Sequence, residues 1–399
     1  MTYDRRHITR WLSSMLMLLL LLFTACSKSS DEGGEPEPDK KKPVLKVYVF
    51  APDRPIVTRA DNGDVDASAE ENEIHSLDVW VFENSNGNPV GHVRLNNVEL
   101  SEAGSEVSMD ISDDFADVKP KVDVYVAANV TNANCGLSLD AYTDRTTLEG
   151  ALIKSGYFGV SPLVSSVPND GLPMSGVLKD KLVSGASPVL RVGPNDGGLS
   201  NVRLVRAVSK IRFVFSKSST NTDNLKVNSI KLDGYDATNH IIGLPNEEYL
   251  FLDGAYPGSR LKVQGSSSED YVAETTLLSN IDGATIKTND SPAAYAYNGT
   301  MTGQEYENLI NSGIIDNKLS ELGRYYLRES DKKVSGKITY TIGDTEKTVV
   351  FQTADAGDFS RNHTWIVYGY FVSSGNLLLN MVEIKNWSNI ESPHDIYNW

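Results

Sequence analysis

Apolar and polar positions alternate with a period of two along most of this chain, and that pattern predicts strands. The runs lie at 44–50, 74–82, 90–95, 122–129, 189–192, 202–215, 227–232, 249–252, 325–328, 337–342, 348–352, 364–372 and 377–387. Gly, Asp and Asn punctuate them at short intervals, as at Asn86-Gly87. Helical signals are sparse. Thr146-x-x-Glu149 and Thr302-x-x-Glu305 have capping-box spacing ahead of apolar residues, and predict short helices over 146–155 and 303–311. Many strands, few helices and frequent turns predict an all-β protein with a few short helices, built as two tandem β-sandwich domains. The pattern breaks most sharply at 193–200 (GPNDGGLS), which sets an expected division into 43–198 and 199–399.

The first of these runs differs from the rest in what surrounds it. Along 44–50 (VLKVYVF), Leu45, Val47 and Val49 form one purely apolar set, alternating with Val44, Lys46, Tyr48 and Phe50. The apolar set is expected to face a core, where burying three such side chains contributes roughly 5–9 kcal/mol before entropy. Upstream, Arg5, Arg6 and Arg10 precede an apolar run too short for a bilayer span, the pattern of a signal peptide over 1–25. Thr24-Ala25-Cys26 then fits a lipoprotein cleavage site, with Cys26 as the lipidated residue and an acyl (palmitate-type) anchor in the outer membrane. Residues 26–42 are Ser, Gly, Pro and charge, a polar tether that cannot bury enough apolar surface to fold. Downstream stands Thr58-Arg59-Ala60, a site for an arginine-specific protease. Arg54 is the nearest competitor, but Pro55 follows it and a rigid imino residue after the scissile bond blocks cleavage. Cutting between Arg59 and Ala60 would separate the lipid and the 44–50 run from everything after them.

Composition narrows the functional classes. Apolar residues make up 40% and charged ones 23%, as in a folded protein rather than a disordered one. The formal charge is −16, and the basic head of the export segment makes the exported body more acidic still. Such a chain repels nucleic acid and anionic lipid surfaces. Of the two Cys, Cys26 belongs to the export segment, so the mature chain offers Cys135 no second cysteine to bridge with and a disulfide framework is excluded.

No constellation carries enzyme chemistry. The six His (His7, His75, His92, His240, His363 and His394) show no metal-ligand spacing. Asp110, Asp113, Asp114 and Asp117 lack the Gly and distal Glu of a calcium loop and read as a solvated acidic turn. Ser175 follows no nucleophile-elbow pattern, and there is no phosphate-binding glycine motif. Nothing calls for a metal or cofactor. The aromatic stretches 77–82 (LDVWVF) and 364–371 (TWIVYGYF) are possible carbohydrate platforms, but core packing and cross-strand pairing explain them without a ligand.

Taken in order, several short segments resemble a known family. They are Glu73 to Phe82 (EIHSLDVWVF), Val124 to Asn129 (VYVAAN), Thr147-Leu148, Leu172 to Gly176 (LPMSG), Leu204 to Ile211 (LVRAVSKI), Phe359 to Trp365 (FSRNHTW) and Val382 to Trp387. Each is weak alone; the ordered set resembles the fimbrillin family of Bacteroidales, the type V pilins, over nearly the whole chain from Val44. The resemblance implies two transthyretin-like β-sandwiches, lipoprotein export, and maturation by an arginine-specific surface protease. It further implies that the cut frees the first strand and leaves a hydrophobic groove with an unpaired sheet edge, filled by a neighbouring subunit's strand. The matching cut here is Arg59–Ala60, with Leu45, Val47 and Val49 as the displaced plug. The partners implied are other fimbrial subunits, as a homopolymer. A donor strand is expected near the C-terminus, where the tail 388–399 offers only Ile390, Ile396, Tyr397 and Trp399 and is interrupted by Pro393; the other choice is 377–384. The leading expectation is a structural subunit of a cell-surface fimbria, not an enzyme, supporting adhesion. The alternative is a permanently lipid-anchored surface lipoprotein, either an anchor or tip subunit or a binder of glycan or host ligand. No pattern identifies a receptor.

Overall fold

The computed structural model describes residues 41–51, 69–101, 104–135, 144–153, 163–194, 200–221, 224–232, 248–251, 274–290, 318–353, 355, 357 and 359–384. In chain order the strands are β1 (Val44–Phe50), β2 (Ser76–Glu83), β3 (Pro89–Asn96), β4 (Ser105–Asp110), β5 (Val122–Ala128), β6 (Leu152–Ile153), β7 (Leu163–Val164), β8 (Met174–Lys181), β9 (Val183–Ala186), β10 (Val189–Val192) and β11 (Asn201–Arg203). They continue as β12 (Val205–Arg206), β13 (Ser209–Lys217), β14 (Leu225–Leu232), β15 (Glu248–Tyr249), β16 (Thr275–Asp282), β17 (Ser320–Leu327), β18 (Ser335–Ile342), β19 (Thr345–Gln352), β20 (Thr364–Phe371) and β21 (Leu377–Ile384). Four short helices are α1 (Ala69–Asn72), α2 (Asp113–Val118), α3 (Asn132–Cys135) and α4 (Arg145–Glu149) among the described residues.

Two sandwiches result, as the alternation predicts. In the first, a sheet ordered β11-β1-β10-β9, with β4 on the other side of β1, faces a sheet ordered β12-β8-β5-β2-β3. Their shared core includes Leu45, Val47 and Val49 from β1, Leu77, Val79 and Val81 from β2, and Val107 and Met109 from β4. In the second, β21-β20-β13-β17-β7 packs on β16-β14-β18-β19 around Ile211, Phe213, Phe215, Val227, Ile338 and Trp365.

The strand at 76–83 is buried almost throughout because both its faces are covered. Its Trp80 and Phe82 point away from the first core into a third apolar layer with Tyr125, Leu148, Ile153 and Phe251. Within that strand Asp78 is buried and lies 2.9 Å from His92 and 3.3 Å from Arg94. The 364–371 strand is likewise buried on both faces, which explains its aromatic content by packing. Cys135 is buried, and its thiol donates to the Thr131 carbonyl.

Several boundaries differ from the sequence expectation, each for an identifiable reason. The single run expected at 202–215 is three strands. Val202 serves the sheet of β1, Val205 pairs with Ser175 of β8, and Ser209 opens β13 in the second sandwich. The division expected at 198/199 is therefore displaced past Arg206, because β11 and β12 complete both sheets of the first sandwich. The halves also interleave: β6 pairs with β15, and β7 joins the second sandwich beside β17. The helix expected over 146–155 is only α4. Its cap is Asp144, accepting from Thr147 N, and it stops at Gly150 so that 152–153 can pair as strand. The acidic turn at 110–117 contains helix α2, with Ser112 Oγ accepting from Phe115 N. Strands β4, β8, β9 and β16 escaped the pattern because they carry few large apolar residues. The helix expected at 303–311 lies outside the described residues.

Candidate functional site

Strand β1 occupies an interior slot rather than an edge. On one side it pairs antiparallel with β4, from Val44 opposite Asp110 to Val49 opposite Ser105. On the other it pairs parallel, first with β10 at 44–46 and then with β11 at 48–50. Backbone bonds extend this pairing at both ends, from Val44 N to Pro188 O (2.8 Å), Ile111 N to Pro43 O (3.0 Å) and Leu204 N to Phe50 O (3.1 Å). The expectation of one unpaired edge is thus corrected: withdrawing β1 opens two. It also removes the strand through which β4, β11 and the β9–β10 hairpin are connected in that sheet.

The two faces of β1 are chemically distinct. Leu45, Val47 and Val49 are 0% exposed, against 22% for the Lys46 side chain on the other face. There Tyr48 lies directly opposite Glu106 and its hydroxyl donates to Glu106 Oε2 (2.8 Å). Lys46 Nζ donates to the other oxygen, Oε1. The Lys46 bond is the main cause that holds the Glu106 carboxyl below its ordinary range. The bond that the Tyr48 hydroxyl donates to the same carboxylate raises the Tyr48 phenol. At the far end the Phe50 ring packs over Gly104, whose φ is +86° and where a Cβ would meet the ring at 2.6 Å.

A second polar cluster lies where the sandwiches meet. Helix α1, which follows 52–68, carries Glu71, fully buried. Lys210 Nζ of β13 donates to Glu71 Oε2 at 3.2 Å, Tyr326 OH of β17 donates to Oε1, and Arg324 Nη1 stands 3.8 Å from Oε1. Burial, then the Glu71 charge, pushes the Tyr326 phenol far above its ordinary range. Arg206, also fully buried, donates from Nε to the Glu71 carbonyl (3.2 Å), from Nη1 to Asn362 Oδ1 (3.1 Å) and from Nη2 to Asn72 Oδ1. Close by, Arg361 pairs with Glu329 and donates to the carbonyls of Tyr249 and Leu250, and Leu250 O also accepts from Ser175 Oγ (2.6 Å).

Five of the segments on which the family resemblance rests, 73–82, 124–129, 172–176, 204–211 and 359–365, contribute to these contacts or to those of Asn129. Asn129, buried at φ +60°, ends 124–129; its Oδ1 accepts from His75 N, and its Nδ2 donates to the carbonyls of Glu73 and Leu172. Arg206 and Lys210 come from 204–211, and Arg361 and Asn362 from 359–365. Charges placed inside the apolar run 202–215 were the available signal for this junction. Glu71, in the string Glu70-Glu71-Asn72-Glu73, and Glu106 carry no comparable signal and were missed.

Of the predicted site residues, Leu45, Val47 and Val49 lie together on the buried face of β1, whereas Cys26, Arg59 and Ala60 lie outside the described residues. So do Arg54 and the tail 388–399. The other candidate donor, β21, is the edge strand of its sheet, paired with β20 from Leu377 opposite Phe371 to Ile384 opposite Thr364. Among the described residues there is no group of His, Cys, Asp or Glu able to hold a metal ion.

Comparison with known proteins bears on both fold and family. Residues 44–228 match the family of the major fimbrial subunit protein FimA, the kind of family that the ordered segments resemble. No curated protein matches the chain. A solved structure from Parabacteroides distasonis, named for a role in cell adhesion, aligns with a TM-score of 0.50 at 15% identity, covering 87% of this chain and 97% of that one. The tip fimbrial protein Mfa3 from Porphyromonas gingivalis, with a C-terminal truncation, aligns with a TM-score of 0.47 at 15% identity, covering 86% and 99%. At such identities the first alignment speaks to the shared fold alone.

Proposed function

From a chain whose residues 44–228 match the major fimbrial subunit family, a family of structural subunits rather than enzymes, we propose a subunit of a cell-surface fimbria that is matured by losing its first strand. The precursor is exported as a lipoprotein, acylated at Cys26 and held at the outer membrane. It folds with β1 in place, is cut between Arg59 and Ala60 by an arginine-specific protease, and polymerises when a strand of another subunit replaces β1, so building a fibre that supports adhesion.

One observation carries this reading: β1 is an interior strand of its sheet, paired along both sides with three side chains fully buried, yet it is the first strand among the described residues and is followed in sequence by 52–68. A strand so placed cannot be lost without replacement. Its absence would leave two unpaired edges and an apolar groove, which together form a template for β-augmentation. While β1 is retained, the same pairing keeps the subunit closed, so folding is completed before assembly begins.

N-terminal sequencing and intact mass of the protein in purified surface fibres test the proposal. A chain beginning at Ala60 is expected. A chain beginning at acylated Cys26 in those fibres overturns the maturation step and favours a permanently anchored lipoprotein.

A further inference from the structure

The buried face of β1 accounts for how a strand is held in the slot but not for which strand is accepted, since most amphipathic strands offer alternating apolar residues. The outward face supplies the missing selectivity. Glu106 of β4 stands opposite Tyr48 and receives the Tyr48 hydroxyl on one carboxylate oxygen and the Lys46 ammonium on the other. Across the strand, Arg191 of β10 is in register with Lys46. With β1 withdrawn, β4 and β10 would be two strand spacings apart, about 9–10 Å, leaving an anionic post on one wall and a cationic one on the other. An incoming strand meets Glu106 with whatever it carries at the positions of Lys46 and Tyr48.

We infer that the slot reads both faces of its occupant. The partner it fits is an extended strand of a second polypeptide with three apolar residues at alternate positions and, between them, a cationic side chain followed two residues later by a hydroxyl donor, both received by Glu106. The inference rests on the strand-replacement reading above. Opposite charges placed across strands stabilise pairing and like charges oppose it, so Glu106 discriminates by repulsion as well as by attraction. The slot thereby fixes register as well as sequence. A strand displaced by one residue turns its apolar set outward, and one displaced by two brings a different side chain against the carboxylate.

The test uses the full chain cut with an arginine-specific protease and a fluorescent peptide of residues 43–51 (PVLKVYVFA), with incorporation followed by anisotropy. The native peptide is expected to enter, and its Val47→Asp form to fail. The Lys46→Glu, Tyr48→Phe peptide is expected to enter with affinity lower by about tenfold or more. Because Arg191 offers that peptide a partial partner, the decisive result is inversion. A Glu106→Lys protein should prefer the altered peptide to the native one, and a Glu106→Gln protein should bring the two within about threefold. Equal entry of both peptides into the wild-type protein, or no change of preference in either Glu106 variant, overturns the inference while leaving strand replacement standing. If the native peptide does not enter at all, strand replacement fails and the inference with it.

Discussion

Glu71 illustrates how much of this protein is decided by single buried polar groups. Its carboxylate has no solvent contact and is shared by a lysine and a tyrosine of the second sandwich, while its backbone carbonyl accepts from Arg206. Removing one partner of a buried ion pair leaves the other charge uncompensated, which costs about 3–5 kcal/mol. Glu71→Gln and Lys210→Met are each expected to destabilise by that order in denaturant unfolding. The double substitution, which removes both members of the pair, is expected to recover part of the loss, with Arg324, 3.8 Å from Glu71 Oε1, still losing that neighbour. Additive losses in the double variant would show that the two groups do not act as a pair. Glu106 behaves differently because it is partly exposed. Its pKa is depressed in the folded state, so its contribution is complete above the unfolded carboxylate pKa and is lost as pH falls through the folded value. The Tyr48 phenol is raised, so its contribution is complete below the unfolded phenol pKa and is lost as pH rises through the folded value. Protection factors of the β1 amides, with the intrinsic pH dependence of exchange divided out, are therefore expected to fall at both acid and alkaline extremes, and Glu106→Gln to remove the acid limb.

At the scale of the element, β1 combines a fully buried face with interior pairing, and both should be visible in mutants. Leu45→Ala is expected to cost about 2–5 kcal/mol and to speed release of the strand after cutting. Val47→Asp, which buries a charge with no partner in the first core, is expected to prevent stable folding of the first sandwich, checked by near-ultraviolet circular dichroism. Gly104 sits at the end of the slot with a positive φ and the Phe50 ring against it. Gly104→Ala is expected to cost about 1–3 kcal/mol and to loosen that end first. The alternation that defines β1 was fully legible: the strand 44–50 and its inward set were read correctly. Its position in the sheet was not, because pairing with β4, β10 and β11 depends on residues far along the chain whose own patterns are short or weak. Strand β4 shows this most clearly, with Val107 and Met109 as its only inward apolar residues among Ser, Glu and Asp.

On the scale of the whole molecule, cutting and assembly become separable steps. An Arg59→Ala precursor is expected to fold, to remain cell-associated and to form no fibres, with fibre yield read by electron microscopy. Wild-type fibre formation by that variant would sink the release mechanism. The sandwiches are joined by the Arg206, Lys210, Glu71 and Asn362 contacts on the downstream side of 52–68, so loss of β1 leaves the junction chemistry intact. Five of the ordered segments that carry the family resemblance, 73–82, 124–129, 172–176, 204–211 and 359–365, meet at that junction or at Asn129.

The sequence by itself determined the class of the fold, the identity and inward face of the first strand, the absence of a disulfide framework and the family resemblance, because alternation, spacing and composition are local properties of the chain. The tertiary structure alone decided that β1 is an interior strand, that one apolar run feeds three sheets, and that Glu106 and Glu71 face the partners they do. Those outcomes follow from which distant strands pair and which faces are covered. No local pattern encodes this, because the same alternating strand can pack equally well at an edge or in the middle of a sheet until its neighbours are in place.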